Sequence, residues 1–316
     1  MSTGGGKKAI VAALLANLGI AISKMIAFVF THSSSMLAES VHSLADTGNQ
    51  ILLLVGGKKA QRPADLEHPF GYGRERYFWA FVVSIIIFTL GSLFALFEGF
   101  EKIHEPHELE TPIVAIGVLL VAIVLEGYSF RTAVNEANDI RGTATWAQFI
   151  KRAKVPELPI LLLEDLGALF GLVLALIAVG LALVTGNPVW DGIGTACIGV
   201  LLGVIAVTLS IEMKSLLIGE AADPDEEAKI EAAIESNGHT RGLIFMRTQH
   251  FGPDQLLVTA KVEFDGSLNM RQLADAIDDL EVDIRAAVPA AHYLFIEPDI
   301  RRSVANQGAT PADPGA

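Results

Sequence analysis

Long apolar stretches separated by short polar connections organise the first two thirds of the chain. Six of them, Ile10 to Thr31, Ser35 to Gly56, Tyr77 to Phe100, Pro112 to Ala133, Pro159 to Thr185 and Asp191 to Ile211, stand out. Read in windows of about 19 residues, each is long enough as a helix to cross about 30 Å of hydrocarbon. The pattern predicts a polytopic α-helical membrane protein. After Lys214 the apolar runs shorten and charge rises, and Ala221 to Asp225 supplies an acidic, proline-containing hinge. Beyond it, Asp225 to Ser236 has helical spacing, Leu243 to His250 and Gln255 to Phe264 alternate as strands, Ser267 to about Val288 places Leu273, Ile277, Leu280 and Ile284 on one helical face, and His292 to Ile296 is a last strand. That order predicts a small α+β domain, αββαβ, with one antiparallel sheet covered by helices on one face. The expected division is a six-helix domain over 1–214, a soluble domain over 215–300 and a disordered tail over 301–316.

Composition agrees with a membrane protein: of 316 residues, 51% are hydrophobic and 19% charged, and the mean hydropathy is +0.45. Orientation follows the basic residues of the short loops, not the net charge of −13, because acidic residues contribute little to topology. Lys7 and Lys8, then Lys58, Lys59, Arg62, Arg74 and Arg76, then Arg141, Lys151, Arg152 and Lys154 mark alternate connections as cytoplasmic, whereas the others carry Lys102 alone. An integral protein of the cytoplasmic or plasma membrane with both termini inside is expected, its first span reading as an anchor. The single cysteine, Cys197, excludes an intramolecular disulfide and a thiolate cluster and reads as a small packing residue.

Ionisable residues inside such spans are functional candidates. In the second span Glu39, His42, Asp46 and Asn49 recur at steps of three, four and three, which gathers them on one helical stripe. His42 and Asp46, one turn apart, bring an imidazole and a carboxylate within reach of one divalent ion, a donor set that suits Zn²⁺ and also admits Mn²⁺, Fe²⁺ or Co²⁺. Asp165, with Glu164 beside it, interrupts the fifth span, and Glu126 the fourth. A lone intramembrane acid can instead hydrogen-bond a neighbouring helix, but His42, Asp46, Asp165 and Glu164 together read as a metal site. Glu39 is a vestibule group, Asn49 a donor behind the ligands, and Glu126 a further buried acid. Such ligands release protons when they bind metal, so a site that faces the two sides in turn would exchange metal for protons.

Three motifs carry a resemblance. Leu37-Ala-Glu-Ser-Val-His-Ser-Leu-Ala-Asp46, His68-Pro-Phe-Gly-Tyr-Gly73 and Leu163-Glu-Asp-Leu-Gly167 resemble the cation diffusion facilitator family of divalent-metal/proton antiporters, the last being similar to its zinc transporter 9-like branch. The resemblance implies cytoplasmic termini, a metallochaperone-like C-terminal domain, a homodimer, and a transport site built from ligand pairs on the second and fifth spans. His42 and Asp46 match the first pair. Of the second pair Asp165 alone matches, because Leu161 stands where the other ligand would be, and Glu164 is the substitute. Asp65 and His68 match a second metal site of some members, with Tyr72 in place of a further histidine. In the C-terminal domain Ile244 and Lys261 replace expected ligands, leaving Glu297 with His292 or His250, and Arg74 resembles the family's interlocking basic residue.

The expectation is therefore a homodimeric, proton-coupled antiporter that exports divalent transition metal, most of all zinc, across a lipid bilayer. No enzyme chemistry, prosthetic group or nucleic-acid partner is expected. A passive cation channel or a metal-sensing membrane protein is the alternative.

Overall fold

The structure is a computed structural model and describes residues 5–31, 34–106 and 112–301, without the side chains of 5–8, 27, 30, 31, 34–39, 41, 42, 45 and 112. The chain forms two compact units that divide between Ile218 and Gly219, where composition placed the boundary at Lys214.

Helices α1 (Gly5–Thr31), α2 (Ser34–Lys59), α3 (Glu75–Ile86), α4 (Phe94–His104), α5 (Pro112–Arg141), α6 (Trp146–Arg152), α7 (Glu157–Thr185) and α8 (Val189–Ile218) build the first unit. A π-helical turn, Ile87–Leu93, joins α3 to α4, so 75–104 runs without a break. Among the described residues five helical stretches are long and apolar enough to cross a membrane: α1, α3 through α4, α5, α7 and α8. Helix α2 has the length, 26 residues, but Asp46, Asn49 and Gln50 interrupt its apolar surface. It lies against α1 and α3, and that shelter is what lets a helix of such composition stay among apolar neighbours.

Small residues set the spacing. A Cβ on Gly99 of α4 would lie 2.6 Å from Ala196 N of α8, and one on Gly199 of α8 would lie 2.8 Å from Leu96 N. Glycine lets these two backbones touch. Beside them Ser92 Oγ of the π turn donates to Gly199 O at 2.8 Å, so the wide turn is tied to α8 at its closest approach. Cys197 lies exposed on α8 and is not a packing residue. The buried cluster of this unit includes Leu53, Tyr77, Val83, Leu158, Leu161, Leu209 and Met213. At its edge Arg76 grips Glu157 with two bonds, Nε to Oε1 at 2.7 Å and Nη2 to Oε2 at 2.9 Å, fixing the start of α3 to the start of α7.

In the second unit, α9 (Pro224–Ser236) and α10 (Met270–Ala287) accompany strands β1 (Thr240–Gly252), β2 (Gln255–Phe264) and β3 (Ala291–Asp299). The strand order is β1-β2-β3. β1 and β2 pair as the expected antiparallel hairpin, but β2 and β3 are parallel, which corrects the all-antiparallel expectation. The cause is the connection: α10 carries the chain back along the sheet, and a strand that follows such a crossover starts at the same end as its neighbour. Helix α10 opens at Asn269, whose side chain accepts from Arg271 N and Gln272 N while Gln272 caps in return, a capping box that delays the start from the expected Ser267. Alternate residues of β2 (Leu256, Val258, Ala260, Val262) meet Ile230, Ile234, Leu280 and Ile284 in the core.

Candidate metal site

Helices α1, α2, α5 and α7 pack side by side, and α8 closes on α7. Within the unit they form lies a cavity of about 220 Å³. Its polar lining includes Lys24 of α1, Asp46 and Asn49 of α2, Glu126 of α5 and Glu164 of α7. Lys24, Asn49 and Glu126 are buried, whereas Asp46 is half-buried. The π turn contributes Ile87, Leu90 and Gly91 to the lining. A further part of the lining carries Glu98, Lys102 and Asp191, where Lys102 Nζ bridges Glu98 Oε1 and Asp191 Oδ2 at 3.0 Å each.

Each acid has a distinct setting. Glu164 accepts from Asn49 Nδ2 and from Gln50 Nε2, one on each oxygen, both at 3.3 Å. Asp165 is 2% exposed and its Oδ2 accepts from Ser129 Oγ of α5 at 2.7 Å; the cavity lining includes Glu164 and not Asp165. Adjacent helical residues diverge by about 100°, so α7 presents one carboxyl to the cavity and turns the next toward α5. Lys24 Nζ donates to Ser43 Oγ of α2 at 3.4 Å. The carboxyls of Asp46, Glu126, Glu164 and Asp165 therefore lie within electrostatic reach of one another, with the Lys24 ammonium near Glu126. Buried acids of one sign cost several kcal/mol unless a cation or protons offset them.

The side chains of His42 and Glu39 lie outside the described residues, though both positions fall within α2. Among the described residues no three His, Cys, Asp or Glu side chains come together as a ready-made metal cluster. Asp46 and Glu164 share the cavity, Asp165 stands behind it, and the imidazole that sequence adds to the set is not among the side chains described. Leu161, at the position where a further ligand would be expected, is fully buried in the hydrophobic cluster. Gln50 was missed by sequence reading; the available signal was its place one turn after Asp46, on the face that also carries His42.

Outside the cavity the matched residues serve other purposes. Asp65 accepts from Tyr72 Oη at 2.6 Å on one oxygen and from the amides of Glu67 and His68 on the other. His68 Nδ1 is 3.6 Å away. The Tyr72 bond holds the Asp65 carboxyl below its ordinary value and pushes the phenol up. Here the tyrosine takes the carboxylate that a metal would need. In the second unit Lys261 Nζ lies 3.0 Å from Glu297 Oε1 and 3.3 Å from Asp299 Oδ2, so Glu297 is paired with a lysine. His250 is buried, with Nδ1 3.2 Å from Gly252 O, within the fold and not on a surface site. His107 of the acidic connection after α4 and the tail from 302 onward lie outside the described residues.

Comparison with known proteins places residues 10–218 in the family described as cation efflux transmembrane domain. The chain is 31% identical over 278 residues to "Proton-coupled zinc antiporter SLC30A9, mitochondrial" of Xenopus laevis, covering 87% of this chain and 49% of the relative. It is 29% identical to "Metal tolerance protein C4" of Arabidopsis thaliana, covering 83% of this chain and 58% of that one. "Cation-efflux pump FieF" of Pectobacterium atrosepticum is 27% identical, with 95% and 94% covered. The chain thus spans about half the length of the SLC30A9 relative and nearly all of FieF. Among solved structures, the cadmium form of the MamM CTD aligns with 25% of this chain and 98% of its own at 15% identity, TM-score 0.24.

Proposed function

Since this chain belongs to the cation efflux family, a family of transporters and not of enzymes, we propose that it exports a divalent transition metal, zinc first, in exchange for protons. One observation carries the reading: Asp46 and Glu164 open on a single cavity whose lining also includes Glu126 and Lys24. A dication entering there offsets carboxylates that the surroundings otherwise penalise, and protons do the same once it has left. The proposed ligands are Asp46, Glu164 and His42, with Asp165 held against Ser129 as a reserve carboxyl beside Glu164. The names of the relatives, a proton-coupled zinc antiporter and a cation-efflux pump, support the same direction of chemistry.

In this reading the protein is a homodimer in a cytoplasmic or plasma membrane with both termini inside. The Arg76–Glu157 pair then ties the cytoplasmic ends of α3 and α7, and the Lys102 bridge lies toward the outer face. The test is Zn²⁺, Mn²⁺, Fe²⁺ and Co²⁺ uptake by proteoliposomes carrying wild type or Asp46→Ala. Uptake of at least one ion, lost in a mutant that remains folded and correctly inserted, is expected. Equal uptake by both proteins would remove Asp46 from the site, and no uptake of any ion by folded wild type would favour a sensing role.

A further inference from the structure

Two amides of α2 meet one carboxylate of α7. Asn49 Nδ2 and Gln50 Nε2 each donate to a different oxygen of Glu164 at 3.3 Å, and the two residues are 2% and 0% exposed. The other atoms of the same amides are unusual: Asn49 Oδ1 and Gln50 Oε1 are buried and have no hydrogen-bond partner among the described residues. A buried acceptor left unpaired is costly, and that of Asn49, a residue lining the cavity with Asp46 and Glu164, points to a positively charged ligand. The donors are also neutral. An arginine or lysine in their place would orient the carboxylate equally well but would cancel its charge and compete with an incoming cation, whereas an amide fixes the geometry and leaves the charge in place.

We propose that Asn49 and Gln50 form an amide clamp that aims Glu164 at the transported cation, and that Asn49 Oδ1 supplies a neutral oxygen ligand beside Asp46. Gln50 is then a positioning residue, acting through Glu164, and Asn49 both positions and ligates. The inference rests on the ion site proposed above and deepens it. It also bears on selectivity. A carbonyl added to carboxylates makes the donor set richer in oxygen, which favours Mn²⁺ relative to an imidazole-rich site, so the clamp admits Mn²⁺ alongside Zn²⁺.

The test is calorimetric binding of Zn²⁺ and of Mn²⁺ to the purified full chain, for wild type, Gln50→Met, Glu164→Ala and the double variant. Methionine keeps the length of glutamine and removes the donor. Loss of a group that orients a metal ligand costs about 10- to 100-fold in affinity. Gln50→Met is therefore expected to weaken Zn²⁺ binding by about tenfold in wild type, but by less than about twofold once Glu164 is gone. Equal weakening in both backgrounds, or in neither, overturns the clamp. Should Gln50→Met not yield a monodisperse protein, Gln50→Leu, which also removes the donor, takes its place in the same cycle. Asn49→Leu, measured alongside, is expected to lose Mn²⁺ more than Zn²⁺, and a parallel loss of both removes the carbonyl from the ligand set. A wild type that binds neither ion, or a Glu164→Ala that binds as wild type does, overturns the ion site itself.

Discussion

Leu161 and Glu164 show how a single turn of helix redistributes chemistry. Where a ligand would be expected, Leu161 sits in the hydrophobic cluster, and three residues later Glu164 reaches the cavity. Leu161→Asp should therefore not restore a ligand. It is expected to bury an unpaired charge and cost more than about 4 kcal/mol, read as a collapse of the thermal transition in detergent; a normally stable variant that binds extra metal would show that this face opens. In the loop, Tyr72→Phe frees the Asp65 carboxyl, whose value then rises toward the ordinary one. Because that value is depressed in the folded loop, the turn's stabilisation is present above the ordinary carboxylate range and lost as pH falls through the depressed value. Amide exchange at Glu67 and His68, the two backbone donors to Asp65, should stay slow to a lower pH in wild type than in Tyr72→Phe, and identical profiles would count against the bond. At this scale the sequence was informative about Asp46, since an acid in an apolar run is visible as such. It was silent on which of Glu164 and Asp165 faces the cavity, because one residue of helix rotation decides that and only packing against α5 fixes the rotation.

Helix packing follows from residues whose spacing a sequence does display, though their partners it does not. Gly99 and Gly199 bring α4 and α8 into backbone contact, and Gly99→Leu is expected to separate them and abolish transport in a protein that still inserts. Unchanged transport by that variant would mean the contact is dispensable. The bidentate Arg76–Glu157 pair is 12% and 4% exposed at its side chains. Breaking a buried pair costs about 3 to 5 kcal/mol, so Arg76→Ala should lower the melting temperature sharply, and the exchanged pair Arg76→Glu with Glu157→Arg should recover part of the loss. No recovery would show that orientation, not pairing, matters there. Apolar periodicity made the long helices legible. The π turn at Ile87–Leu93 was not, because its sequence is as apolar as its flanks and the extra residue per turn is stabilised by Ser92 reaching Gly199 on another helix. The parallel pairing of β3 was equally hidden, since strand direction depends on the path of α10 and not on the strand's own residues.

For the whole molecule, the helical unit gathers Lys24, Asp46, Glu126 and Glu164 around one cavity while leaving apolar side chains exposed on its surface, and the second unit folds around its own core. The division between them was legible from composition because the change from apolar runs to charged, alternating segments is abrupt. Coupling is the property of the whole that matters most: a site whose acids accept either a dication or protons must exchange one for the other as it changes sides. Zn²⁺ uptake by proteoliposomes, measured with an inward-to-outward pH difference and again after an ionophore has collapsed it, tests that coupling most directly. Uptake against the Zn²⁺ gradient that follows the pH difference and stops on its collapse is the expected result. Uptake that proceeds at the same rate without any pH difference, running only down the metal gradient, would contradict proton exchange and identify a passive path.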